Sequence, residues 1–92
     1  MHSLVVPVYR NEDSIPELLD AIAQLSRRLD QPLEAVFVVD GSPDGSYALL
    51  RDRLPAMPFR SQLLAHSRNF GSFAAIRSGL AAAKGDGVAV MA

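Results

Sequence analysis

The sequence predicts an α/β domain, a parallel sheet of about four strands with three helices packed on its faces. Three observations predict it. Short valine-rich apolar runs alternate with longer stretches of helical period, the pattern of a parallel sheet joined by crossover helices. The apolar runs give way to polar loops built from Pro, Gly, Asn and Asp, which are turn formers. The whole chain is 92 residues, 49% hydrophobic and 21% charged, which suits one folded domain rather than a disordered segment.

Leu4 to Val8 is an apolar, β-branched run that reads as a strand buried on both faces. Pro7 cannot donate a ladder hydrogen bond, so it should mark the strand's end. After a polar loop from Tyr9 to Asp13, Ser14-Ile15-Pro16-Glu17 has the form of a capping box with proline in the first turn. The helix it opens carries Ile15, Leu18, Leu19, Ile22, Leu25 and Leu29 at helical spacing, and Pro32 lies just past its end. Ala35 to Val39 is a second buried strand, ending in the turn cluster Asp40 to Ser46. Tyr47 to Leu54 reads as a short helix closed by Pro55, and Ser61 to His66 as a weaker third strand. Ser67 to Gly71 is a loop. Ser72 to Lys84 is an alanine-rich helix with Gly85 as its stop, and Gly87 to Met91 begins a fourth strand. In such sheets ligands bind beyond the carboxyl ends of the strands, where the loops after strands one and two fall.

Composition removes several classes of function. A net charge of -1 gives no basic stripe for nucleic acid. With no cysteine, disulfide scaffolds and thiolate metal sites are excluded. No apolar run approaches the roughly 20 residues of a membrane span, and the N-terminus lacks the charged region of a signal peptide, so a cytoplasmic setting is expected. The glycine-rich dinucleotide fingerprint and the phosphate-binding loop are both absent after strand one. Instead the first loop offers Pro7, Tyr9, Asn11 and Glu12, and the second Asp40 and Asp44 beside glycines. Carboxylates at a strand's end accept hydrogen bonds from a base N–H or a ribose hydroxyl, and glycines let backbone approach a planar ligand. A diphosphate would then be neutralised elsewhere, the usual work of a metal ion.

Three stretches carry a resemblance. Val6-Pro7-Val8-Tyr9-Arg10-Asn11-Glu12 resembles the opening motif of family 2 glycosyltransferases, with one residue inserted before Asn-Glu. Val38-Val39-Asp40-Gly41-Ser42-Pro43-Asp44-Gly45-Ser46 resembles their second motif, in which a pair of aspartates precedes Gly-Ser. Ser67-Arg68-Asn69-Phe70-Gly71, with Ala74-Ala75-Ile76 and Gly79-Leu80, resembles the branch that contains dolichol-phosphate mannose synthases and bacterial polyprenyl-phosphate glucosyltransferases; Lys84-Gly85-Asp86 and the strand after it match that branch too.

The resemblance covers the whole chain and implies a Rossmann-like GT-A fold. It implies an inverting transfer from a nucleotide diphosphate sugar, a UDP- or GDP-sugar, to a polyprenyl-phosphate acceptor at the cytoplasmic membrane face. By it, Pro7, Tyr9 and Glu12 would line the base and ribose pocket and Asp40 would be the acidic nucleoside contact. Val39 stands where the family has the first aspartate of the pair, which leaves base recognition to Asp40 and backbone groups. In the family, strand four runs into an Asp-x-Asp motif that holds Mn2+ or Mg2+; residues 1–92 stop before it, so no catalytic or metal residue is assigned here. The expected domain is therefore the N-terminal, nucleotide-sugar-binding part of a glycosyltransferase. The rival is a non-catalytic binding or association domain, and an uncovered fourth-strand edge predicts self-association.

Plainer roles stand beside these. Asp40 reads alone as a turn carboxylate, Asp44 as a cap for the second helix, Glu12 as a solvated loop acid and Tyr9 as loop packing. Arg68 and Asn69 read as loop stabilisers. His2 and His66 have no partner pattern, and neither is given a metal.

Overall fold

The computed structural model describes residues 1–91. Four strands, β1 (His2–Val8), β2 (Leu33–Asp40), β3 (Arg60–His66) and β4 (Gly87–Val90), alternate with helices α1 (Ile15–Arg28), α2 (Ser46–Arg53) and α3 (Ser72–Ala82). All strand pairs are parallel, in the order β3-β2-β1-β4. Residues alternate between the two faces of a strand. Leu4, Val6 and Val8 of β1 and Phe37 and Val39 of β2 therefore meet Ile15, Leu19 and Ile22 of α1 and Leu50 of α2 on one face. Val36 and Val38 meet Ala75 of α3 on the other. Gly79 lets α3 lie close, since a Cβ there would run into the Val5 side chain. All eight residues of β2 are buried, as a central parallel strand requires.

The element order and class are those expected, and the local chemistry differs at three points. Pro7 does not end β1, since Pro7 and Val8 still pair with Val38 and Val39 of β2. Val5 accepts from the Met91 N–H on the β4 side, so Pro7, two residues on, turns its missing donor to the same side, beyond β4's last pair. The expected capping box does not form. Glu12–Ser14 make a short 3-10 turn, and the Ser14 hydroxyl donates back to the Asn11 carbonyl instead of capping α1. Helix α3 ends at Ala82, with Ala83 already extended. Gly85 is needed for a close approach, because a Cβ would strike Ser3 and the Met1 carbonyl.

At the amino edge of the sheet, Glu34 is 4% exposed. Its carboxylate accepts from the Ser3 hydroxyl (2.9 Å), the Gln62 amide (3.0 Å) and the Lys84 N–H (2.9 Å). Gln62 also donates to Ala82 O, and Gly85 N–H to Ser3 Oγ. One buried carboxylate thus joins β1, β2, β3 and the end of α3. Burial alone would raise its pKa; the three donors outweigh burial and hold it below the ordinary carboxylate value. At the far side, every residue of β4 is exposed, and among the described residues no strand pairs with its outer edge. No helix of the described residues is long and apolar enough to cross a membrane.

Candidate functional site

Three loops meet at the carboxyl edge of the sheet, residues 9–14 after β1, 41–45 after β2 and 67–71 after β3. The first and third loops, with Asp40 at the end of β2, line a cleft of about 670 Å³. Pro7, Tyr9 and Asn11 line it from the end of β1 and the first loop, and Asp40, Asn69 and Gly71 from the end of β2 and the third loop. Ser72 and Ala75 of α3, Glu17 and Leu18 of α1, and Met91 after β4 also line it.

The first two loops are laced together. Arg10 has a left-handed backbone (φ 56), and its N–H donates to the Ser42 hydroxyl at 2.9 Å. Glu12 N–H donates to Asp44 (3.2 Å), and Gly45 N–H returns a bond to the Glu12 carboxylate (2.9 Å). Asp44 also accepts from Ser42 Oγ and from Ser46 N–H, but the N-cap of α2 is Gly45, without a side-chain cap, so Asp44 closes the turn just before the helix instead of capping it as expected. Burial would raise the Asp44 pKa, but Ser42, Ser46 and Glu12 outweigh it and bring it down to about 2. Asn11 takes the Tyr9 N–H at 2.8 Å. The Tyr9 ring is 40% exposed with the Arg10 guanidinium 5.4 Å from its centroid. The Arg10 Nε–H donates to the Tyr9 hydroxyl (3.1 Å), which lowers the phenol's pKa.

The third loop hangs from Asp40, which is 3% exposed. Its carboxylate accepts from Phe70 N–H (3.0 Å), Gly71 N–H (2.9 Å) and His66 Nδ1 (2.8 Å). Burial would raise its pKa, and these donors together hold it below the ordinary value. A carboxylate offers about four acceptor positions, so one is left for a ligand in the cleft. The other ring nitrogen of His66 lies 2.8 Å from Ser78 Oγ, so Asp40, His66 and Ser78 form a relay from the cleft to α3. Gly41 makes the contact between the second and third loops. Its φ is +66, and a Cβ would collide with the backbone of Arg68 and Asn69.

The structure brings Pro7, Tyr9 and Asp40 to the cleft. Glu12 is not on the cleft wall, and its carboxylate faces Gly45 N–H. Asn69, Gly71, Ser72 and Glu17 line the cleft and were not singled out as ligand contacts from sequence. His66, without a visible partner in the sequence, gains one because β3 pairs with β2 in a register that sets His66 beside Asp40. Among the described residues no cluster of three or more His, Cys, Asp or Glu could hold a metal. Asp40 and Asp44 spend most of their acceptor positions on protein donors, so a divalent ion does not fit these residues.

The family model described as "Glycosyl transferase family 2" matches residues 3–92. The chain belongs to that family. The undecaprenyl-phosphate 4-deoxy-4-formamido-L-arabinose transferase of Aeromonas hydrophila is 39% identical over 84 residues, covering 91% of this chain and 26% of the relative. That of Pseudomonas fluorescens is 42% identical over 86 residues, covering 91% and 25%. Among solved structures, S. aureus TarS superposes with a TM-score of 0.82 at 26% identity, covering 98% of this chain and 26% of that one. A mannosyltransferase from Pyrobaculum calidifontis, in complex with GDP-Man and Mn2+, superposes at 0.81 with 28% identity, covering 95% and 25%. The fold is thus the GT-A fold of these glycosyltransferases, and the chain spans about a quarter of the length of the relatives it matches.

Proposed function

We propose that residues 1–92 are the nucleoside-binding part of an inverting glycosyltransferase that moves a sugar from a nucleotide diphosphate sugar to a polyprenyl phosphate. The observation that carries the reading is the cleft at the carboxyl edge, lined both by a half-exposed tyrosine and by a buried carboxylate with one acceptor position unspent. Tyr9 offers a face for a base, Pro7 a rigid floor, and Asp40 an acceptor for a base N–H or ribose hydroxyl. Glu12 acts by bracing the first loop on the second. The names of the relatives support the lipid phosphate acceptor, and the GDP-Man complex supports the nucleotide sugar. Transfer would be one in-line displacement at the anomeric carbon; the acceptor phosphate is already anionic and needs no base. The metal that the family uses would be held outside the described residues. Such an enzyme would work at the cytoplasmic face of the membrane.

Calorimetric titration of UDP and of GDP into the full-length parent tests the reading. Tyr9→Ala and Asp40→Asn should each weaken binding of the preferred nucleotide about tenfold, close to the free energy of one charged hydrogen bond or one stacked ring. Asparagine keeps an acceptor for the third loop, so melting curves should separate lost contact from lost fold. Unchanged affinity in both variants would reject the cleft as the nucleoside site.

The outer edge of β4 carries a second proposal, that the 92-residue chain alone associates through it. Val88 and Val90 are 45% and 43% exposed, and the edge has free backbone donors and acceptors. Light scattering of this chain at high concentration should show dimers or larger species; a clean monomer would count against it.

A further inference from the structure

Charge is divided unevenly along the chain. Residues 53–85 hold Arg53, Arg60, Arg68, Arg77 and Lys84 and no acidic residue, a segment of +5 within a chain whose remainder is -6. Three of these cations flank or sit on α3: Arg68 just before it, Arg77 in its middle and Lys84 just after it. The side of α3 turned from the sheet is not polar. Phe73 is 85% exposed and Leu80 45%, and with Arg77 they stand at i, i+4 and i+7, one stripe along the helix. Phe70, 51% exposed, adds a ring at the helix's start, with the Arg68 guanidinium 4.9 Å from its centroid. Ala75 and Gly79 on the opposite side are buried against the sheet, which fixes the stripe outward. The nearest acid in sequence, Asp86, pairs with the N-terminal amine at 3.4 Å.

We propose that this outer face of α3 docks on an anionic lipid surface. Aromatic and aliphatic side chains on an exposed helix, bordered by Arg and Lys and free of acids, match the two layers of such a surface: rings at the acyl boundary and cations among the phosphates. The face carries one shallow depression, between Phe70, Ala74 and Arg77, and its charge is opposite in sign to that of an anionic leaflet. The opposite face mixes both signs, Glu17, Asp20, Arg27 and Arg28 on α1 and Arg51, Asp52 and Arg53 on α2, so the α3 side is the more uniformly basic of the two. The inference stands on charge and exposure and does not depend on the nucleotide reading. It assigns a membrane contact to this segment itself.

The test is co-sedimentation of the full chain with vesicles of phosphatidylcholine alone or with about a third phosphatidylglycerol. Binding is expected only with the anionic lipid, and it should fall as salt rises. Each basic residue near such a surface contributes about 1 kcal/mol, so Lys84→Ala should weaken binding about fivefold and Arg77→Glu, which reverses a charge, about 25-fold. Phe73→Ser should leave the salt dependence in place and weaken binding at every salt concentration. All three positions are exposed on the helix or just past its end, and circular dichroism should show the fold retained. Equal sedimentation with neutral vesicles, none with anionic ones, or variants that bind like the parent would each overturn the proposal. So would self-assembly, measured without lipid, that Arg77→Glu abolishes, because the face would then be a protein interface. Nucleotide affinity is a separate reading on the same variants and should not move.

Discussion

Glu34→Ala should lower the free energy of unfolding by about 4 kcal/mol, since a bond to a charged group contributes about 1.5–3 kcal/mol and three such bonds are lost together, less than additively. A domain of this kind has about 5–15 kcal/mol in all, so the variant should sit near the edge of folding. The reason is the position of the group. The Lys84 N–H loses its acceptor and the Gln62 amide one of its two, around a carboxylate that is itself buried. Urea unfolding of the 92-residue chain is the measurement, and a loss below about 1 kcal/mol would show that water takes over the donors. The same group sets an acid limb. Its folded pKa lies below the unfolded value of about 4.3, so its contribution is complete above that pH and disappears as pH falls through the folded value. Glu34→Gln should fold better than the alanine variant and show a flatter loss of stability in acid.

The second large effect is expected at Gly41. An alanine there must hold a left-handed backbone, which costs about 1–2 kcal/mol. It must also displace the backbone of Arg68 and Asn69, and no rotamer change relieves that collision. The third loop should move, and Phe70 and Gly71 should lose Asp40 as acceptor. Gly41→Ala should therefore cost about 3 kcal/mol or more and abolish nucleotide binding, adding a lost charged pair to the strain. Gly71→Ala supplies the comparison. Its φ is +98, yet nothing lies within reach of the added carbon, so only the strain of about 1–2 kcal/mol is expected. Similar losses in the two variants would mean that collision with the third loop is unimportant.

What the sequence made legible was set by local pattern. Buried strands announced themselves as valine runs, because a strand covered on both faces has no polar alternation to confuse it. Asp44 reads as a cap for the second helix and falls one residue short: Gly45 is the N-cap, and Asp44 holds the turn before it through Ser46 N–H. Ser14 misled, because a 3-10 turn before α1 already uses its hydroxyl and no local rule predicts that turn. Ser3 and Glu34 lay just outside the expected strands and Gln62 inside one, and nothing joined them in the sequence, since their network exists only once three strands share a register. The cleft was half legible. Pro7, Tyr9 and Asp40 lie at strand ends, where ligands of parallel sheets gather, whereas Glu17 and Ser72 reach the cleft through the angle of helices that sequence does not encode locally.

The pairing of Asp40 with His66 reaches beyond binding. All three donors on this buried carboxylate come from residues 66–71, at or after the end of β3. Slide β3 by one residue along β2, and its side chains exchange faces while Ala65 or Ser67 arrives where the imidazole should be. The carboxylate would then be stranded without its partners, a heavy penalty in a dry environment. A weak edge strand with little apolar character is thereby proof-read by a single charge, and a chain that has misaligned its sheet has no stable place in which to hide the error.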